Sequence, residues 1–156
     1  MKDQRKINLI LRTVAAALVL IMAILPLSAC MSPEHDKSGT FTLVIGGDTE
    51  TVYTVDIEKV QIQNGLLSVL DYLKETKGLN YTADATGFLT EVGDVKQDAS
   101  SGTYIYIWTS VESDFDVSEY ATTKDYNGTT LTSTGVGTKD MTIKDGAVIY
   151  IGTVKW

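Results

Sequence analysis

Few residues in the chain have the chemistry of catalysis, and they are poorly placed for it. There is one thiol, Cys30, and one imidazole, His35, both near the beginning. Nucleophile–base pairs and zinc sites need more cysteine or histidine than the rest of the chain supplies. Carboxylates are plentiful, but Asp94, Asp98, Asp114 and Asp116 lie in loops at spacings that predict no convergence on a shared cleft. The run Glu112-Ser113-Asp114-Phe115-Asp116, followed by Glu119, offers the hard oxygen ligands that calcium takes. It lacks a central glycine and a regular ladder of ligands, so it reads as a solvated acidic loop. Gly46-Gly47 lies between two strand-like runs, where a phosphate-cradling loop would lie between a strand and a helix. No catalytic residue, metal ligand or cofactor is expected, and the chain does not read as an enzyme.

Cys30 has a different use. Lys2, Arg5, Lys6 and Arg12 face a single acid, Asp3, and from Thr13 to Leu27 the chain is uncharged and apolar. A basic start, a short apolar run and small residues at its end are the marks of a secretory signal. The run is short for a membrane span of about 20 residues, and Pro26 interrupts its end. Leu27-Ser28-Ala29-Cys30 resembles a bacterial lipobox. The resemblance implies a diacylglyceryl group on the Cys30 thiol and cleavage before Cys30. Two or more acyl chains, each buried methylene contributing about 0.8 kcal/mol, hold stably where one holds marginally. An uncleaved N-terminal anchor and a cysteine incidental to an ordinary signal are the alternatives. The expected location is the cell membrane, lipid-anchored on its extracytoplasmic side.

Removal of residues 1–29 leaves 127 residues, enough for one domain, and moves the formal charge from −7 to −10. So acidic a body has no electrostatic attraction for nucleic acid or an anionic lipid surface. Residues 30–39 are polar, contain Pro33 and read as a lipid-anchored flexible stalk in which His35 is solvated. Residues 40–156 form the domain.

The domain alternates like a set of strands around one helix. Phe41, Leu43 and Ile45 face one way from Thr40 to Ile45; Tyr53, Val55 and Ile57 do so from Thr51 to Glu58. With Gly46-Gly47-Asp48 between them these runs predict a hairpin. Leu66, Val69, Leu70 and Leu73 form a helical stripe between a cap at Asn64 and a stop at Gly78. Leu79–Ala83 and Phe88–Val92 read as further strands. Thr103–Thr109, apolar or aromatic on both faces, reads as a central strand with the helix over one side. Asn127-Gly128 predicts a tight hairpin between Tyr120–Tyr126 and Thr129–Thr134. Met141–Ile143, the Asp145-Gly146 turn and Val148–Trp156 predict a closing hairpin. The sum is an α+β domain, one sheet with one helix packed on it.

This order resembles the transcobalamin C-terminal-like domain, a family of unknown function found in bacterial surface proteins and lipoproteins. The resemblance rests on Asn64-Gly65-Leu66-Leu67-Ser68-Val69-Leu70, Tyr104-Ile105-Tyr106-Ile107-Trp108 and the ending Gly135-Val136 … Ile143-Lys144-Asp145-Gly146. It implies a β-grasp-like, ubiquitin-like mixed sheet over residues 40–156 with the helix across one face. In transcobalamin itself the domain closes over cobalamin. Here Ala147 follows Gly146, the segment from Trp108 to Gly135 is long, and no helical cobalamin-binding partner domain is present on the chain.

Tyr106, Trp108, Tyr120 and Tyr126 are the candidate ligand-binding residues, a patch able to stack on a planar molecule or pack into a protein. The expected function is a lipid-anchored binding module that captures a corrinoid or another small planar ligand. The alternative is a structural or adhesive envelope lipoprotein whose partner is a protein or the cell wall. Mass spectrometry of the mature protein should find Cys30 as its first residue and diacylglycerylated. An intact leader, or a free thiol at Cys30, would contradict the anchor.

Overall fold

The computed structural model describes residues 33–156; Cys30 and the expected leader lie outside the described residues. The alternating run after residue 39 forms β1 (Thr40–Gly46), which pairs in antiparallel register with β2 (Glu50–Asp56), from Thr40 opposite Asp56 to Gly46 opposite Glu50. A single 3-10 turn at Ile57–Lys59 takes the place of the end of the expected second strand.

The stripe of Leu66, Val69, Leu70 and Leu73 is buried along one side of α1 (Gly65–Lys77). Each such side chain contributes about 1.5–3 kcal/mol of apolar burial. Gly78 ends the helix in the left-handed conformation, where a Cβ would cost energy. The start differs from the expected cap. Asn64 holds the cap position but its side chain makes no capping bond; Ser68 Oγ instead accepts from Gln63 N–H (3.1 Å) and Asn64 N–H (2.9 Å). Gly65 has a positive φ, and a Cβ there would lie within 2.8 Å of the carbonyl oxygens of Thr138, Lys139 and Met141. Only glycine lets that chain pass so close to the helix start.

Three short strands, β3 (Tyr81–Ala83), β4 (Leu89–Val92) and β5 (Val95–Lys96), make a small antiparallel sheet of their own. The expectation of one sheet is thereby corrected to two. Leu89, Val92 and Val95 extend the main core, and Tyr81 donates to Asp71 on the helix (2.5 Å). Burial, then that carboxylate, pushes the Tyr81 hydroxyl up to about 12.

The large sheet is completed by β6 (Thr103–Thr109), β7 (Thr123–Tyr126), β8 (Thr129–Ser133) and β9 (Val148–Lys155), in the order β2-β1-β9-β6-β8-β7. Asn127 and Gly128, both at positive φ, form the expected tight turn between β7 and β8. The last strand lies in the middle, parallel to β1 and antiparallel to β6. One face of this mixed sheet, with Leu43, Val55, Ile149 and Ile151, joins the helix in the main core.

The expected closing hairpin does not form. Met141 and Ile143 are fully buried, but their segment pairs with no strand. A buried backbone without a ladder must find other partners, and here side chains and one backbone N–H supply them. Asp114, only 2% exposed, accepts from Thr142 N–H (2.6 Å) and from Thr142 Oγ1 (2.8 Å). His35 Nδ1 accepts from Ile143 N–H (3.1 Å), and Ile143 C=O accepts from Asp36 N–H (2.9 Å). Asp36 also accepts from Asp145 N–H (2.8 Å). His35 is therefore half-buried and bonded to the domain, which corrects its reading as a solvated side chain.

Asp114→Ala would strand two buried donors and should lower stability by about 3 kcal/mol in denaturant titration; an unchanged midpoint would contradict the clamp. Burial holds His35 below its ordinary 6.5, against the pull of the Asp114 carboxylate. The unfolded chain then takes the proton more readily than the folded one, so this contribution is complete above pH 6.5 and fades as pH falls below it. His35→Gln should flatten that dependence.

Candidate ligand site

The site begins with an interruption in strand pairing. β6 is paired along its whole length with β9, but β8 meets it only at Trp108 and Thr109. Antiparallel ladders send alternate residues to alternate edges. On the β8 side Thr103 exchanges both backbone bonds with Asp98 (2.9 Å each), and Ile107 C=O accepts from Thr134 N–H (2.9 Å). Ile105 faces the same edge between them, and its N–H and C=O meet no backbone partner there.

Beside this gap lies a cavity of about 310 Å³, at the lower end of the range of roughly 300–1,000 Å³ for small-ligand pockets. Three distant segments wall it: β6 at Ile105–Ile107, the turn into β4 at Thr86–Leu89, and the return from β8 at Thr134–Thr138. Phe88 stands 52% exposed at this wall although it is a large apolar side chain. The turn before it is fixed by Asp84, whose carboxylate accepts from Thr86 N–H (2.8 Å), Thr86 Oγ1 (2.6 Å) and Phe88 N–H (3.0 Å). Those bonds, the Thr86 hydroxyl first, hold the Asp84 carboxyl below the usual range.

The threonine hydroxyls lining the cavity are already engaged. Thr138 Oγ1 donates to Gly87 C=O (2.6 Å), while Thr134 Oγ1 donates to Val136 C=O (3.1 Å) and accepts from its N–H (3.2 Å). Among the described residues no Asp, Glu, Lys, Arg or His lines the cavity.

Of the four aromatic residues expected to bind ligand, Tyr106 alone lines the cavity. Trp108 is only 6% exposed, so it is no stacking platform, which corrects that expectation. Its indole N–H donates to Thr122 Oγ1 (3.0 Å), and the Lys124 ammonium stands 5.6 Å from its ring and 4.2 Å from that of Tyr150. Tyr106, Trp108, Tyr150 and Tyr126 touch in series, with centroids 5.3, 6.0 and 5.9 Å apart. They form a second, smaller core with Val44 and Leu131 on the sheet face away from the helix. Burial, then Glu50, raises the Tyr150 hydroxyl above its ordinary value. Tyr120 is 66% exposed on the loop before β7 and joins none of these ring contacts.

The carboxylates named from sequence are each held separately. Asp94 accepts from Asp48 N–H (3.0 Å), Asp98 from Ser100 N–H (3.0 Å), and Asp116 from Ser118 N–H (2.8 Å), while Asp114 clamps Thr142. Among the described residues no three Asp, Glu, His or Cys side chains are grouped to share a metal ion. Sequence reasoning missed Phe88, Ile105 and Val136 as site residues. The signal available was Thr134-Gly135-Val136-Gly137-Thr138, a run that ends a strand.

Trp156, 69% exposed, is the other tryptophan. In a Trp156→Phe variant, emission from Trp108 should be blue-shifted and resist acrylamide quenching. A water-like, readily quenched spectrum would show that the aromatic face is open.

No family model matches the chain, and no curated protein matches it. Among solved structures it is similar to "a putative metal binding protein from Ruminococcus gnavus ATCC 29149", with 17% identity over 78% of this chain and 99% of that one and a TM-score of 0.46.

Proposed function

We propose that this chain is a lipid-anchored extracytoplasmic binding module of β-grasp-like fold that captures a small ligand in the cavity at the β6 edge. The cavity carries the reading: an uncharged, largely apolar recess with an exposed phenyl ring and an interrupted strand beside it. Supporting the β-grasp assignment, a hairpin precedes one helix and the last strand lies parallel to the first. The anchor rests on Leu27-Ser28-Ala29-Cys30 and the apolar run before it. A corrinoid is much larger than about 310 Å³, and Trp108 is buried, so a smaller ligand is favoured. The scattered carboxylates give no acid–base pair, and catalysis is not part of the proposal.

The second reading, an envelope protein that holds a protein or wall partner, is favoured by one other feature. Val117 is 96% exposed and Tyr120 66% exposed on one short loop, and apolar side chains so placed suit a protein contact.

The test is a thermal-shift screen of the full chain in detergent against small planar molecules and a corrinoid panel. Small planar hits should lose about tenfold in affinity, about 1.4 kcal/mol, in Val136→Trp, which fills the cavity, and in Phe88→Ala, which removes its exposed wall. Hits unaffected by either substitution, or confined to corrinoids, would place the ligand elsewhere.

A further inference from the structure

The cavity borders the open edge of β6. Its threonine hydroxyls are bonded within the protein and it has no ionic lining. Beside it the backbone of Ile105 directs one N–H and one C=O to the same strand edge. A strand edge of this kind accepts whatever presents a donor and an acceptor side by side, as a neighbouring strand does. The edge is also short. Asp98 closes it at Thr103 and Thr134 closes it at Ile107, a span of four residues or about 13 Å. A passing peptide strand would collide with both ends, whereas a single amide group fits between them.

Building on the reading of this cavity as the ligand site, we infer that it recognises a small neutral molecule with an N–H donor and a carbonyl acceptor side by side on an apolar body, an amide or lactam. The amide pairs with Ile105 N–H and C=O, and the apolar part packs on Phe88, Ile107 and Val136. Charge agrees with neutrality. Residues 30–156 carry a formal −10, and an anion entering the cavity would meet no cation on its walls while losing its hydration.

The test uses four probes of similar shape on the isotopically labelled full chain in detergent micelles: benzamide, N,N-dimethylbenzamide, toluene and benzoate. Benzamide should saturably shift the Ile105 amide together with the methyl signals of Ile105 and Val136. The dimethyl analogue, which has lost its donor, should bind about three- to tenfold more weakly, and benzoate should not bind. Phe88→Ala, at a half-exposed position, should weaken benzamide while leaving the spectrum folded. Toluene binding as tightly as benzamide would overturn amide recognition yet leave the cavity a ligand site. Benzoate binding best would likewise overturn it. No response of the cavity signals to any probe would overturn both this inference and the function proposed above.

Discussion

The constraint on which the structure depends is the position of β9. The last strand of the chain is paired on both sides, parallel to β1 and antiparallel to β6, so the sheet closes only when the C-terminal residues arrive at its centre. The chain must therefore leave β8, one strand out from β6, and cross back beneath the helix start to re-enter between β1 and β6. The crossing segment buries Met141 and Ile143 without ladder partners. An unmade buried hydrogen bond costs about 1–3 kcal/mol, so the crossing is tenable only because Asp114, His35 and Asp36 take up its backbone groups. Gly65 makes room for it at the helix.

The same departure creates the site. Because β8 turns away after Ser133, the β6 edge at Ile105 is left without a strand, and the start of the crossing becomes one wall of the cavity. Phe88 and the Asp84-bonded turn supply another. The polar clamp and the candidate ligand site are thus two results of one topological requirement, joined through residues 134–143. A protein that moved β8 one residue further along β6 would gain ladder bonds and lose the recess.

Local pattern carried the first hairpin, the helix stripe, the Asn127-Gly128 turn and β6 into the sequence reading, because each is specified by neighbours in the chain. What was illegible depends on distant partners. Met141-Thr142-Ile143 alternates as a strand does, yet its bonds go to side chains 28 and 108 residues away. His35 looked solvated because nothing near it shows that Ile143 will lie against it. Trp108 belonged to an aromatic strand face, but Thr122 and Lys124, which cover it, come from the later β7 region. The cavity is harder still, since no one of its three walls has a pattern that announces it.

Function follows the same division. The proposed membrane address rests on local pattern in residues 1–30, whereas the proposed binding rests on a gap that exists only after the crossing is made. Residue-resolved amide hydrogen exchange on the full chain tests that arrangement most directly. The account predicts that Thr142, bonded to buried Asp114, is protected to nearly the same degree as the β6 amides of Tyr104 and Tyr106, while Ile105 between them exchanges orders of magnitude faster. Protection of Ile105 equal to that of its two neighbours, or rapid exchange at Thr142, would contradict it.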